Sequence, residues 1–381
     1  MYKIMTPGPT QVRENVRLTR AMAATNPDLD PAFLDFYQTT CQKFARFLGA
    51  SGQVYILGGE GILGLEAACA SLTEPGDRVL VIDNGIFGKG FADFVRLYDG
   101  DAVLYTCDDQ RGVDVEQLAD FLSRDHDFKY ATVVHCDTPS GVLNDIGRIC
   151  PLLHQYGILT VVDSVAAMFG EVVKVDDWQI DILCGGSQKA LSAAPGLTIV
   201  AVSQAAEAAM RARQTPIKAF YANLMIWQGY AEAKWFPYTP PISDIYSLGT
   251  ALDNVLAEPG IFDQHQRLAH AVRQAVTTCG LRLYTVSDYA DTVTVIRVPQ
   301  GLKASDITQP MAEQYGVLIA GCFDTLAEKV IRIGHMGENA NAPDLAMTLN
   351  ALERVLRQLG VPLKGSMQEV FWQALAEEGQ N

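Results

Sequence analysis

The stretch Asp181-Ile-Leu-Cys-Gly-Gly-Ser-Gln-Lys189-Ala-Leu-Ser-Ala-Ala-Pro-Gly196 decides the reading of this chain. An apolar run (Ile180, Ile182, Leu183) stops at a glycine pair, and a lysine follows at once. Small residues lead to Pro195-Gly196 and a second apolar run, Leu197 to Val202. A lysine on a glycine-flexed turn between two buried strands has its ammonium desolvated, which favours the neutral, nucleophilic amine. Upstream, Val161-Val-Asp163-Ser-Val places a carboxylate at the end of an apolar strand, 189 − 163 = 26 residues earlier. Buried carboxylates are rare unless paired, so Asp163 calls for a cationic partner.

A lysine that bonds an aldehyde and a buried carboxylate for a pyridinium nitrogen are the pair that pyridoxal phosphate (PLP) chemistry requires. With their neighbours, these residues resemble the class V aminotransferases of fold type I, the group with alanine–glyoxylate and serine–pyruvate aminotransferases. The resemblance runs from Thr6-Pro-Gly-Pro-Thr10 to Arg332-Ile-Gly-His335. It implies an α/β fold, with a large domain built on a mostly parallel, seven-stranded-type sheet between helices. A smaller α+β C-terminal domain follows. The expected division is an arm over the active site at 1–15, a PLP-binding domain at 16–250 and a small domain at 251–381. It also implies transamination between an amino donor and a small 2-oxo acid, pyruvate or glyoxylate, in a homodimer with shared active sites.

Composition is compatible with that. A chain of 381 residues, 49% hydrophobic and 19% charged, is long enough for a large core. A formal charge of −15 argues against nucleic acid and acidic membranes as partners. No run approaches the roughly 18 apolar residues of a spanning helix, and the N-terminus reads without a signal-peptide core. The eight cysteines are dispersed, with no CxxC or His/Cys cluster, which predicts no metal site and reduced thiols in a cytoplasmic protein.

Along the chain, Thr6-Pro7-Gly8-Pro9-Thr10 predicts a rigid extended arm. The resemblance lays it across the site, with Gly8 shaping the substrate pocket. A helix is predicted over 33–48, then a strand at 54–57, the loop Gly58-Gly-Glu60-Gly61 and a helix over 62–72. A strand, glycine loop and helix start can hold an anion on backbone N–H groups, and the resemblance puts Glu60, Gly61 and Ile62 at the PLP phosphate. The family usually places hydroxyl side chains there. A carboxylate repels a phosphate dianion but accepts readily from a neutral hydroxymethyl group. Glu60 therefore either marks an unphosphorylated vitamer, or points to solvent or caps the helix while phosphate binds through backbone. Gln188 beside the lysine leans the other way, since its amide can donate to phosphate. The loops around Glu60, Gly88-Lys-Gly90, Asp137-Thr-Pro-Ser140 and Arg332 to Gly337 are similar to those of pyridoxamine–pyruvate aminotransferases. Those enzymes handle the unphosphorylated vitamer as substrate.

Further strands are predicted at 79–82, 130–134 and 159–162. Phe87 follows the first of these and is either a core residue or the aromatic that stacks on the ring. The resemblance assigns it the stacking role, with Val165 on the other face and Thr138 as a cofactor contact. His135 reads as a fold residue. The segment 231–246 is predicted to be rigid and extended, and the resemblance sends Thr239 to the partner's phosphate site. In the smaller domain, helices at 247–256, 264–279 and 304–315, strands at 291–298, 316–320 and 330–334, and a terminal helix at 368–378 are predicted. Arg332 has the planar fork that suits a carboxylate, and the resemblance makes it the substrate-carboxylate arginine. Ala320-Gly-Cys-Phe323-Asp lacks the extra arginine of pyridoxamine–pyruvate enzymes. Cys322 is a faint echo of cysteine desulfurases, whose serine-rich loop is absent.

Overall fold

The structure, a computed structural model, describes residues 2–378. Seven strands form one sheet: β1 (Gln53–Gly58), β2 (Arg78–Asp83), β3 (Asp101–Thr106), β4 (Tyr130–Val134), β5 (Leu159–Asp163), β6 (Ile182–Gly186) and β7 (Leu197–Val202). Their order is β1-β7-β6-β5-β4-β2-β3, and β7 alone runs against the others. Strands covered on both faces read as unbroken apolar runs, as all six buried residues of Leu197–Val202 do. The edge strand β3 is mostly exposed or half-buried, which leaves its sequence without a strong pattern.

Helices cross over between the parallel strands. The helix α1 (Pro31–Leu48) is capped by the Asp30 carboxylate, which accepts from the Ala32 N–H, and stops at Gly49 in the left-handed conformation. The helix α2 (Gly61–Leu72) follows β1, and α3 (Ile86–Leu97) follows β2. The helix α3 had no sequence signal, because glycines at 85, 88 and 90 mask it. Gly88 is needed there: a Cβ would stand 2.7 Å from the Ile82 carbonyl oxygen, so the helix lies directly on its strand.

Among the described residues two large apolar cores form, with a smaller third cluster that includes Cys136 and Ala166. The larger joins residues from Val16 to Ile261 with Met336, and the next joins Met5 with residues from Leu268 to Ala374. The N-terminal strand Lys3–Ile4 pairs in parallel with Val317–Leu318, so the chain starts on the second core. It then crosses to the sheet through Thr6–Thr10. Packing changes partner within α4 (Ile261–Thr278), where Ile261 belongs to one core and Leu268 to the other.

The structure differs from expectation at 231–246. A helical turn occupies Tyr230–Ala233, and a helix starts at Ile242 and runs to Leu256 instead of starting at Ser247. Pro240-Pro241 ends the extended segment, and proline's fixed φ suits a helix entrance. A helix at Ala342–Gln358, capped by Asn341, was not anticipated. The strand expected over 316–320 shrinks to Val317–Leu318.

The loops after β1, β2, β4, β5 and β6 emerge at one edge of the sheet, where open α/β sheets bind their ligands.

Candidate active site

Lys189 sits three residues past the end of β6. Ser187 holds the turn, its hydroxyl donating to the Ala194 carbonyl at 2.7 Å and accepting from the Leu197 N–H at 3.2 Å. The lysine Nζ donates to the Pro7 carbonyl at 2.7 Å. Thr10 ties the arm to the same loop: its N–H donates to the Gln188 carbonyl, and its hydroxyl to the Lys189 carbonyl, both at 3.0 Å. Gly8, at φ +99°, lies against the lysine. A Cβ there would come within 2.4 Å of Lys189 Cδ, so only glycine permits this crossing. Burial, followed by the nearby Arg332 guanidinium, pushes the Lys189 ammonium below its ordinary range.

Asp163 closes β5 with 6% exposure. One oxygen accepts from the Val165 N–H at 2.9 Å. Burial raises its carboxyl to about 7, against the opposing pull of that N–H and of Lys189. Among the described residues no cation pairs with it. The two side chains share one cleft, which Phe87, Val165, Thr138 and Glu60 also line, with Ile62. Gly61 packs on Val165, since a Cβ would stand 2.8 Å from it.

Asp137, which sequence reasoning passed over, positions Phe87. Its carboxylate accepts from the Phe87 N–H at 3.1 Å and from the Ser140 hydroxyl at 2.8 Å. Burial pushes Asp137 up to about 6. Its place right after a buried strand, ahead of Thr-Pro-Ser-Gly, was the available signal. His135, buried against Trp178, bonds Ser164 through Nδ1 at 3.2 Å, and burial alone lowers it to about 3. It serves the fold as a neutral ring.

Arg332, 8% exposed, lies on the strand Val330–Gly334. Its Nε donates to the Gly321 carbonyl at 2.7 Å and Nη1 to the Thr138 carbonyl at 3.4 Å. Among the described residues no carboxylate pairs with it. A buried guanidinium beside the cleft without a counter-ion is prepared for an anion from outside.

Glu60 caps α2, its carboxylate accepting from the Ile62 N–H at 3.0 Å. It also accepts the side-chain amide of Gln188, whose carbonyl oxygen is buried without a partner. Of the alternatives open in the sequence, the structure shows the cap on an exposed Glu60 and adds the Gln188 contact.

Phe87, a desolvated lysine and a buried acid thus meet in one cleft at the strand ends. The family model of aminotransferase class-V matches residues 17–323. The chain belongs to the class V aminotransferases. This aminotransferase is 34% identical to the pyridoxamine–pyruvate transaminase of Mesorhizobium japonicum, covering 87% of this chain and 86% of that one. It is 31% identical to the L-aspartate–glyoxylate aminotransferase of Paracoccus denitrificans, covering 95% and 92%. The pyridoxamine–pyruvate aminotransferase structure from Mesorhizobium loti superposes with a TM-score of 0.94 at 31% identity, over 98% and 97% of the chains. The neighbours share the fold type I architecture with its large, mostly parallel sheet.

Within this class V aminotransferase, Thr239 is exposed and does not line the cleft of its own chain. Two residues on, Pro241 lies against Gly58 at the end of β1. The described helices include none long and apolar enough to cross a membrane, and no described His, Cys, Asp and Glu group could hold a metal ion.

Proposed function

We propose that this aminotransferase uses unphosphorylated pyridoxamine as amino donor and a small 2-oxo acid such as pyruvate as acceptor, yielding pyridoxal and an amino acid. The observation that carries this reading is the hydrogen bond between Glu60 and Gln188 at the start of α2. The carboxylate already occupies an N–H of the helix start and the Gln188 amide, the donors that would serve a phosphate. A dianion beside Glu60 would be repelled, whereas a hydroxymethyl group can donate to it. Two similar proteins bear this activity in their names.

A pyridoxal-type ring fits the cleft. Asp163 is a buried acid without a cationic partner, and a protonated pyridine nitrogen is such a partner. Phe87 and Val165 supply apolar surface for the ring, with Phe87 fixed through Asp137. Thr138 offers a hydroxyl at the rim. When bound, the ring supplies the electron sink that stabilises charge left on carbon as a C–H bond breaks. Lys189, whose charged form burial disfavours, takes that proton and returns it to the neighbouring carbon. Arg332 holds the carboxylate of the 2-oxo acid, and Gly8 keeps the arm backbone against the lysine. Donor and acceptor alternate in one cleft, so ping-pong kinetics are expected.

A second copy of the chain completes the unit in this reading. Ile62, Phe220, Tyr221 and Trp235 are exposed apolar side chains at 43%, 61%, 56% and 61%. The Tyr221 ring lies 4.4 Å from that of Tyr238, the neighbour of Thr239, tilted by 35°. Covering this surface with a partner would bring each Thr239 to the other chain's cleft. The free thiols of the described cysteines suit a cytoplasmic setting.

The second reading is an ordinary alanine or serine:2-oxo-acid aminotransferase with bound PLP. It is supported by the strand, glycine loop and helix start at β1–α2, the usual anion-binding geometry. A desulfurase role for Cys322 is disfavoured, because burial raises its thiol and a nucleophilic cysteine needs the thiolate.

The test is turnover of pyridoxamine with pyruvate in the absence of PLP. Pyridoxal and alanine should accumulate. Turnover only after PLP loading, with an amino acid as donor, would replace the proposal with the second reading.

A further inference from the structure

Phe323 sits where no sequence expectation placed a functional residue. It is a large aromatic with 45% exposure, on extended backbone just ahead of the helical turn Asp324–Leu326. Ala320 and Arg332 exchange backbone hydrogen bonds at 3.1 and 2.7 Å, which fixes the loop bearing Phe323 relative to the arginine. The Arg332 guanidinium carbon lies 5.9 Å from the Phe323 ring centre. The Phe323 ring in turn stands 6.0 Å from Phe87, at 69°. Cys322 and Ile86 pack on an apolar cluster that includes Cys136 and Ala166.

Arg332 is thus flanked by an aromatic wall. The charged groups acting on Lys189 include Arg332, Asp163 and Glu60, and Asp137 acts on Arg332. A second carboxylate on the substrate would meet acids and an aromatic ring instead of a cation. An exposed ring packed on Phe87, which lines the cleft, gains by being covered with apolar surface.

We infer that Phe323 selects the acceptor: a 2-oxo monocarboxylic acid whose carboxylate sits on Arg332 and whose apolar side chain lies against the Phe323 ring. Glyoxylate, with no side chain, and 2-oxo dicarboxylic acids are poor members of the series. This inference rests on the transaminase reading of the site, and not on which amine serves as donor.

The experiment measures kcat/KM for glyoxylate, pyruvate, 2-oxobutanoate, 4-methyl-2-oxopentanoate and 2-oxoglutarate. Two donors are run in parallel, pyridoxamine without PLP and L-serine with PLP, so that every acceptor yields a product distinct from the reactants. The values should rise from glyoxylate to 4-methyl-2-oxopentanoate by about tenfold or more, as added apolar groups do in a matching pocket. 2-Oxoglutarate should fall about a hundredfold below the branched acid. Phe323→Ala should shrink the ratio of branched acid to pyruvate by about tenfold, Phe323→Leu should retain it, and Phe323→Arg should favour 2-oxoglutarate.

Equal rates with 2-oxoglutarate and the branched acid would overturn the inference. So would an unchanged ratio in Phe323→Ala, or a uniform loss with every acceptor. Turnover with serine but not pyridoxamine would sink only the donor proposal and leave the acceptor ranking readable. No turnover with either donor defeats the transaminase reading and this inference together.

Discussion

The Glu60 carboxylate accepts the side-chain amide of Gln188 at the turn that opens α2, and Glu60 borders the cleft that holds Lys189. An anion therefore stands where an anion-binding helix start would otherwise be open. Donor choice follows from that contact.

Removing the charge should change which amine is preferred. In Glu60→Ser, the ratio of kcat/KM for pyridoxamine to that for pyridoxamine 5′-phosphate should fall about tenfold to a hundredfold. A hydrogen bond to a charged group contributes about 1.5–3 kcal/mol, which sets that range. Steady-state kinetics with the two amines and one acceptor reads the ratio directly. An unchanged ratio would mean Glu60 takes no part in recognising the substituent.

Arg332→Met should raise KM for pyruvate about a hundredfold, since truncating one side of a desolvated charge pair costs about 2–5 kcal/mol. The unliganded protein should not melt earlier than wild type, because a buried guanidinium lacking a carboxylate carries an uncompensated desolvation penalty. Calorimetry and acceptor kinetics together check this. A lower melting temperature with KM unchanged would mark the arginine as structural.

Asp163 gives the unliganded protein a pH dependence of defined sign. Its folded carboxyl is raised from 3.8 to about 7, so the folded state keeps a proton that the unfolded chain releases. That stabilisation is fully present below pH 3.8 and is lost as pH rises to about 7. The loss is at most about 1.4 kcal/mol per pH unit. Asp137, at about 6, and Glu171, at about 8, shift in the same direction but stay in both proteins. Denaturant unfolding of Asp163→Asn against wild type between pH 4 and 7 should therefore show a smaller decline in the variant. Parallel curves would mean the carboxylate is not buried as described.

Much of this site was legible before the structure. Lys189 and Asp163 each follow an apolar run that stops, and a buried strand end is where a titratable residue is conspicuous. Chain order could not tell which of its options Glu60 takes, because a helix cap, a solvated carboxylate and a ligand contact share one local pattern. Geometry adds Gln188, 128 residues away. Asp137 was passed over since its role is to hold the Phe87 backbone, 50 residues distant. The helix α3 hid behind glycines that close packing requires, and β3 hid because an edge strand lacks an apolar run. Phe323 stood out only as a missing arginine, and its contact with Arg332 depends on the pairing of Ala320 with that residue.

The dimer reading is open to direct measurement. Replacing Phe220 and Trp235 together by glutamate puts two charges on the exposed aromatic surface. The variant should sediment as a monomer, where wild type sediments as a dimer, and should lose most of its turnover. Dimers that persist with full activity would place the interface elsewhere. Surface substitutions of this kind ordinarily change folding stability by only about 0.5 kcal/mol, so the protein should stay folded.

The most direct test offers the protein equal amounts of pyridoxal and PLP, adds borohydride and maps the modified peptide by mass. If the site takes the unphosphorylated vitamer, one unphosphorylated pyridoxyl group per chain should be found, on Lys189. A label on another lysine, no label, or the phosphorylated ring fixed in preference would contradict the account.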